Sequence, residues 1–159
     1  MTNKRKIAAI VFALLSVFWI VFIFSNSLQP AEVSGGNSKG LLKFLIESMS
    51  GIDFDTFDEE TVNIFDFIIR KLAHFSEFAV LSMLVYFTAF FGFDDRLRYI
   101  IPATLSFFVS CTDEIIQYFV PGRACRFTDV VIDTCGALTF VLLAYVINKY
   151  LKKQRGKNE

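Results

Sequence analysis

Between Ile7 and Phe24 the chain runs for 18 residues without a charge, directly after Lys4, Arg5 and Lys6. At about 1.5 Å of rise per residue, such a run nearly crosses an apolar layer of about 30 Å. Three more long apolar stretches follow, and these carry charges inside them. The second is about Leu72 to Phe91, interrupted by His74 and Glu77; the third is about Tyr99 to Val120, interrupted by Asp113, Glu114 and Gln117. The fourth is about Thr128 to Ile147, interrupted by Asp129 and Asp133. A segment inside lipid has to satisfy its backbone hydrogen bonds internally, so each is expected to be a helix.

The chain therefore reads as an all-α, polytopic transmembrane helix bundle of about four spans, forming a single domain over residues 1–159. The spans fall at about 7–27, 72–91, 99–120 and 128–147, with an outer loop over 28–71 and a basic tail over 148–159. A cleaved signal peptide is the rival reading of the first run, but the run exceeds a usual signal core and no A-x-A site follows it. Composition agrees with the bilayer: 54% of residues are apolar, 20 are Phe and only 20% are charged, more apolar surface than a soluble domain of 159 residues could hide. Cys111, Cys125 and Cys135 form neither a CxxC pair nor a zinc spacing and are read as small apolar fillers.

Lys and Arg placement sets the orientation. With the N-terminus inside, Lys4, Arg5, Lys6, Arg96, Arg98, Lys149, Lys152, Lys153, Arg155 and Lys157 face the cytoplasm. Lys39, Lys43, Arg70, Lys71, Arg123 and Arg126 then face outward, and both termini are cytoplasmic. The outer loop carries local signals. Ser34-Gly35-Gly36-Asn37 reads as a turn, and Gly40 to Met49 as a short helix able to lie on the membrane. Thr56-Phe57-Asp58-Glu59 reads as a capping box opening a helix that continues through Val62, Phe65 and Ile69 into the second span. An ordinary loop resting on its own bundle and a lid or partner-binding element are both open readings of this segment.

The intramembrane charges share one depth. His74 and Glu77 lie roughly 4 and 8 Å below the outer boundary of the second span; Asp113, Glu114 and Gln117 lie within roughly 11 Å of the outer end of the third. Asp129 and Asp133 lie within roughly 8 Å of the outer start of the fourth. The intervening Pro121-Gly122-Arg123-Ala124-Cys125-Arg126 turn sets two guanidiniums at the same level. Helical spacing puts Lys71, His74 and Glu77 on one face, Asp113 or Glu114 with Gln117 on another, and Arg126, Asp129 and Asp133 on a third. Carboxylates in a membrane face the bundle interior or pair with cations, which turns these faces toward one polar pocket. Five acids there (Glu77, Asp113, Glu114, Asp129, Asp133) meet three bases (Lys71, Arg123, Arg126). Either some of the carboxylates carry protons or a divalent cation joins them. A salt-bridged network that only locks the helices together is the structural alternative.

These residues carry a resemblance. Lys71-Leu72-Ala73-His74-Phe75-Ser76-Glu77-Phe78, Thr112-Asp113-Glu114-Ile115-Ile116-Gln117, Pro121-Gly122-Arg123 and Thr128-Asp129 through Asp133 to Gly136 resemble the VanZ-like membrane proteins, as does the polar exit Phe24-Ser25-Asn26-Ser27-Leu28-Gln29. The resemblance covers nearly the whole chain. Against that family's common pattern, Glu77 stands where Tyr is frequent and Asp133 where Asn is frequent, making this copy more acidic. The resemblance implies a bacterial plasma-membrane protein. The family's namesake is associated with resistance to teicoplanin, a glycopeptide that acts outside the cell and carries a lipid tail.

Two functional classes follow. The first is a non-catalytic envelope protein whose outer-leaflet pocket binds membrane lipid, a lipid-linked cell-wall intermediate or a lipoglycopeptide, with Arg123 and Arg126 taking phosphate or carboxylate. Lys71, Gln117, Asp129 and Asp133 complete that ligand-binding set. The second is an intramembrane enzyme on a lipid-linked substrate. There His74 serves as general acid or base, Glu77 or Glu114 complements it, Asp113 and Asp129 hold a divalent cation, and Arg123 stabilises developing negative charge. No GxSxG, HExxH or phosphate loop supports a known catalytic class. Transport is disfavoured because the charges sit on one side only and no internal repeat is visible. Nucleic-acid binding is not expected, since the basic Lys149–Lys157 run beside a span suits a topology anchor on anionic lipid.

Overall fold

Four long helices carry the fold of the computed structural model, which describes residues 2–93 and 95–156. Lys157, counted above with the basic tail, lies outside the described residues. The elements are α1 (Asn3–Ser27), α2 (Ala31–Ser50), a 3-10 turn at Phe54–Thr56, α3 (Glu59–Gly92), α4 (Leu97–Tyr118) and α5 (Phe127–Arg155), with no strand among the described residues. Helices α1, α3, α4 and α5 are each long and apolar enough to cross a membrane. The expected all-α bundle of four spans is the observed fold.

Helix α3, at 34 residues, is about 50 Å long and exceeds the apolar layer, so its first turns project beyond it. Its start departs from the expected capping box. Asp58, not Thr56, is the cap: its carboxylate accepts from the Thr61 amide at 3.0 Å and from the Thr61 hydroxyl at 2.7 Å. The Thr56 hydroxyl instead donates to the Asp53 carbonyl at 2.7 Å, closing the preceding 3-10 turn. A carboxylate at the cap also faces the positive end of the helix dipole, an advantage Thr lacks.

Ser34-Gly35-Gly36-Asn37 is helix rather than turn. Helix α2 starts behind Pro30 and runs unbroken through these residues to Ser50, where Gly51 ends it at φ 67°. Tertiary contacts override the weak local propensity. Ser38 hydrogen-bonds Asp66 of α3, Asn37 Nδ2 reaches Gln29 Oε1 at 3.5 Å, and the Ala31 amide donates to the Pro121 carbonyl at 3.3 Å. The absence of a side chain at Gly35 leaves room for Arg70, whose Nη1 is 3.9 Å from where a Cβ would stand. The short helix expected over Gly40–Met49 is the second half of α2. There Leu42 is buried, while Leu41, Phe44 and Met49 are exposed.

Helix α3 is central, packing against α1, α2, α4 and α5. Ile23, Phe78, Leu81, Val85 and Val109 form the apolar core, with Trp19, Ile20, Phe24 and Ile101 packed on it. The outer flanks are also apolar: Leu14, Phe18, Phe108, Leu142 and Val146 are exposed, as lipid-facing residues must be. Free Cys125 and Cys135 are exposed as well, and Cys111 is half-buried, so none of the three is a core filler. The helices alternate in direction, which brings both ends of the chain to one end of the bundle. There Arg5 Nη2 donates to the Phe90 carbonyl at 3.2 Å and Lys152 Nζ pairs with Asp95 at 3.0 Å.

Candidate functional site

At the opposite end from the termini lies a cavity of about 410 Å³, bordered by the end of α1, by α2, by α3 and by the α4–α5 turn. Each wall follows from local sequence. A stripe of small and polar residues at helical spacing (Ser106, Ser110, Asp113 or Glu114, Gln117) runs down one face of α4, and every one of these is buried. The α4–α5 turn bends back over it because Gly122 adopts φ 74°, a left-handed conformation that suits glycine, and an added Cβ there would lie 3.0 Å from Ala31. Helix α5 comes close to α3 at Gly136, which has no side chain to keep it away from the Phe75 backbone.

The expected site residues converge here. Lys71 Nζ of α3 pairs with Asp129 Oδ1 of α5 at 2.5 Å. His74 Nδ1 lies 3.8 Å from Asp133 Oδ1, and the other oxygen of Asp133 accepts from Ser110 at 2.8 Å. Glu77 Oε1 accepts from Asn26 Nδ2 at 3.2 Å, while the Glu77 carbonyl accepts from Trp19 Nε1 at 2.9 Å. Gln117 Nε2 donates to Asp113 Oδ2 at 2.8 Å and to Ser27 Oγ at 3.3 Å. Glu114 Oε2 accepts from the Arg126 amide at 2.7 Å, which caps the start of α5 from a neighbouring helix.

The two arginines of the turn differ in their duties. Arg123 Nε donates to the Gln29 carbonyl at 2.9 Å and its Nη2 to the Asn26 carbonyl at 3.2 Å, so it satisfies carbonyls left over at the end of α1. The Arg126 side chain has no hydrogen-bond or ion-pair partner among the described residues, and it borders the cavity. Arg70 also borders it but is neutralised by buried Asp66 at 2.8 Å. Of the two acids expected to share a cation, Asp113 and Asp129, the first lies with His74 and Asp133 and the second is paired with Lys71.

Several participants are not singled out in the sequence. Asn26 and Ser27 were visible only as a polar end to the first span, and their partners Glu77 and Gln117 are 51 and 90 residues away. Ser110 had a usable signal: it precedes Asp113 by three residues on the polar face of α4. Ser38, Asp66 and Arg70 had none, because they depend on α2 folding back against α3.

The family model described as VanZ/LLP1 matches residues 12–148. The chain belongs to the VanZ-like family. The match takes in the whole of α3 and α4, most of α1 and α5, and every residue of the polar layer. No curated protein and no solved structure matches the chain. Membership and the four apolar helices together make this VanZ-like protein a multi-pass membrane protein.

Proposed function

We propose that this VanZ-like protein sits in the bacterial plasma membrane with its termini in the cytoplasm, and that its cavity opens to the outer leaflet and binds the anionic head of an amphipathic or lipid-linked envelope ligand. The observation that carries this reading is the pair Arg123 and Arg126, which border the cavity without a carboxylate partner among the described residues. A guanidinium with spare donors suits phosphate or carboxylate, which it can grip through two hydrogen bonds. The exposed apolar face of α2 and the Phe67 side of the cavity offer a path for an acyl or polyprenyl tail.

The outward orientation is supported by charge. Nine described bases (Lys4, Arg5, Lys6, Arg96, Arg98, Lys149, Lys152, Lys153 and Arg155) gather at the end away from the cavity, and bases concentrate on the cytoplasmic side. The association of the family's namesake with teicoplanin resistance fits an outer-leaflet site, since a lipid-tailed glycopeptide acting outside the cell would meet it there. A contribution to such resistance is part of the proposal.

Mass spectrometry of the lipids retained by protein purified in mild detergent tests it. Selective retention of one anionic or lipid-linked species by wild type, lost in Arg126→Ala, is the expected result. Indistinguishable bulk lipid in both proteins contradicts it. Arg126 is the better probe because Arg123 also holds the end of α1.

A catalytic reading of the same cavity is favoured by one observation: His74 borders the cavity and stands 3.8 Å from buried Asp133. His74 would then move a proton for hydrolysis of the bound ligand, complemented by Glu77 or Glu114. Undiminished turnover of an identified substrate by His74→Ala removes His74 from that role.

A further inference from the structure

Four acids of the polar layer, Glu77, Asp113, Glu114 and Asp133, lie beyond ion-pair distance of any Lys or Arg among the described residues. Two of them, Asp113 and Asp133, are completely buried, each at 0% exposure. Their hydrogen bonding is lopsided in the same way. Asp113 Oδ2 is held by Gln117 and Asp133 Oδ2 by Ser110, both at 2.8 Å, while Oδ1 of each is buried without a partner. His74 Nδ1 is likewise buried without a hydrogen bond. One ligand atom from each of His74, Asp113 and Asp133 falls within 4.8 Å of the others.

We propose that His74, Asp113 and Asp133 form a binding site for a divalent cation of the Zn²⁺ or Mn²⁺ type. The donor set is one imidazole nitrogen and two carboxylate oxygens, supplied by three helices. Such a set suits borderline metals better than Mg²⁺ or Ca²⁺, which favour oxygen alone. Around an ion with ligands at about 2.0–2.2 Å, donor atoms stand roughly 3–3.5 Å apart. The three donor atoms, now within 4.8 Å of one another, would have to draw closer by rotation about side-chain bonds when an ion binds. Leaving three polar atoms buried and unpaired is costly, and a dication bound by two carboxylates and a neutral imidazole is formally neutral. Ser110 and Gln117 act as the outer hydrogen bonds that orient metal-binding carboxylates. His74 also borders the cavity, so the cluster adjoins it through that residue. The site stands on the cluster itself and does not depend on the identity or existence of a lipid-linked ligand.

The test is metal content by inductively coupled plasma mass spectrometry, on protein as purified and after loading with Zn²⁺ or Mn²⁺ followed by desalting. About one tightly held ion per chain is expected for wild type and for Arg126→Ala, with loss of the ion in Asp113→Asn and Asp133→Asn. No retained ion in loaded wild type overturns the site, as does full retention in both Asn variants. X-ray absorption of the loaded wild type decides the matter if a variant fails to fold. A shell of nitrogen and oxygen with an imidazole scattering signature agrees with the site, and an all-oxygen or sulfur shell contradicts it. Loss of lipid binding in Arg126→Ala with metal intact separates the two proposals.

Discussion

Gly136 of α5 meets Phe75 of α3 so closely that a Cβ on the glycine would stand 2.1 Å from the Phe75 carbonyl oxygen and 2.9 Å from its carbonyl carbon. Both obstacles are backbone, which cannot swing aside as a side chain can. This crossing lies one turn from His74 and Asp133, so it sets how closely the two helices bring those groups together. Gly136→Ala is expected to push α3 and α5 apart and to destabilise the bundle by about 3 kcal/mol or more. Thermal unfolding in detergent measures it. Gly36→Ala is the contrasting control: nothing lies within 4 Å of the added Cβ, so helix propensity makes it neutral or stabilising by up to about 1 kcal/mol.

Lys71 and Asp129 form the one Lys–Asp pair joining α3 to α5 among the described residues, with side chains 19% and 10% exposed. Removing one partner strands the other charge in a poorly hydrated place. Lys71→Met is expected to lower stability by on the order of 3 kcal/mol, and the double variant Lys71→Met with Asp129→Leu to recover most of the loss. A double-mutant cycle on unfolding midpoints reads the coupling. Single and double variants equally destabilised would show that the pair contributes through packing and not charge.

The native thiols report orientation without engineering. Cys125 is exposed in the turn beside the cavity, whereas Cys135 is exposed on α5, two turns past its start and toward lipid. A membrane-impermeant maleimide applied to intact cells is expected to label Cys125 and to leave Cys135 unmodified, as read by peptide mass spectrometry. Labelling of Cys125 only after the membrane is opened places the cavity on the cytoplasmic side and refutes the outer-leaflet reading.

The Asp58 cap gives a pH dependence in the projecting part of α3. Hydrogen bonds from the Thr61 hydroxyl and amide favour the carboxylate, holding its pKa below the ordinary value of 3.8. A group with a lowered folded pKa contributes stability above its unfolded pKa, and that contribution is lost as pH falls through the folded value. Protection of the Thr61 amide is therefore expected to exceed that in Asp58→Ala at neutral pH and to converge with it only below the usual aspartate range. Hydrogen exchange measured by NMR follows both proteins.

The spans were legible because their signal is local: an uncharged run such as Ile7–Phe24 states its own length and solvent. The polar layer was legible for a related reason, since rise per residue converts sequence position into depth for His74, Asp113 and Asp133 alike. Pairings within the layer were not. Depth says that Asp113 and Asp129 are at a similar level, but only helix rotation gives the first to His74 and Asp133 and the second to Lys71. Local propensity misread Ser34–Asn37, because the contacts that make it helical come from Asp66 and Pro121, far along the chain. The same long-range folding hid the contribution of α2 to the cavity wall.

Titrating the purified protein, by native mass spectrometry, with a polyprenyl phosphate and with the corresponding neutral alcohol tests most directly whether the partnerless Arg126 guanidinium, beside Arg123, takes an anionic head. The phosphate is expected to bind and the alcohol to bind far more weakly, with Arg126→Ala losing about tenfold in affinity for the phosphate, about 1.4 kcal/mol. Equal binding of phosphate and alcohol, unchanged by Arg126→Ala, would contradict the account and leave the polar layer as a device for holding helices together.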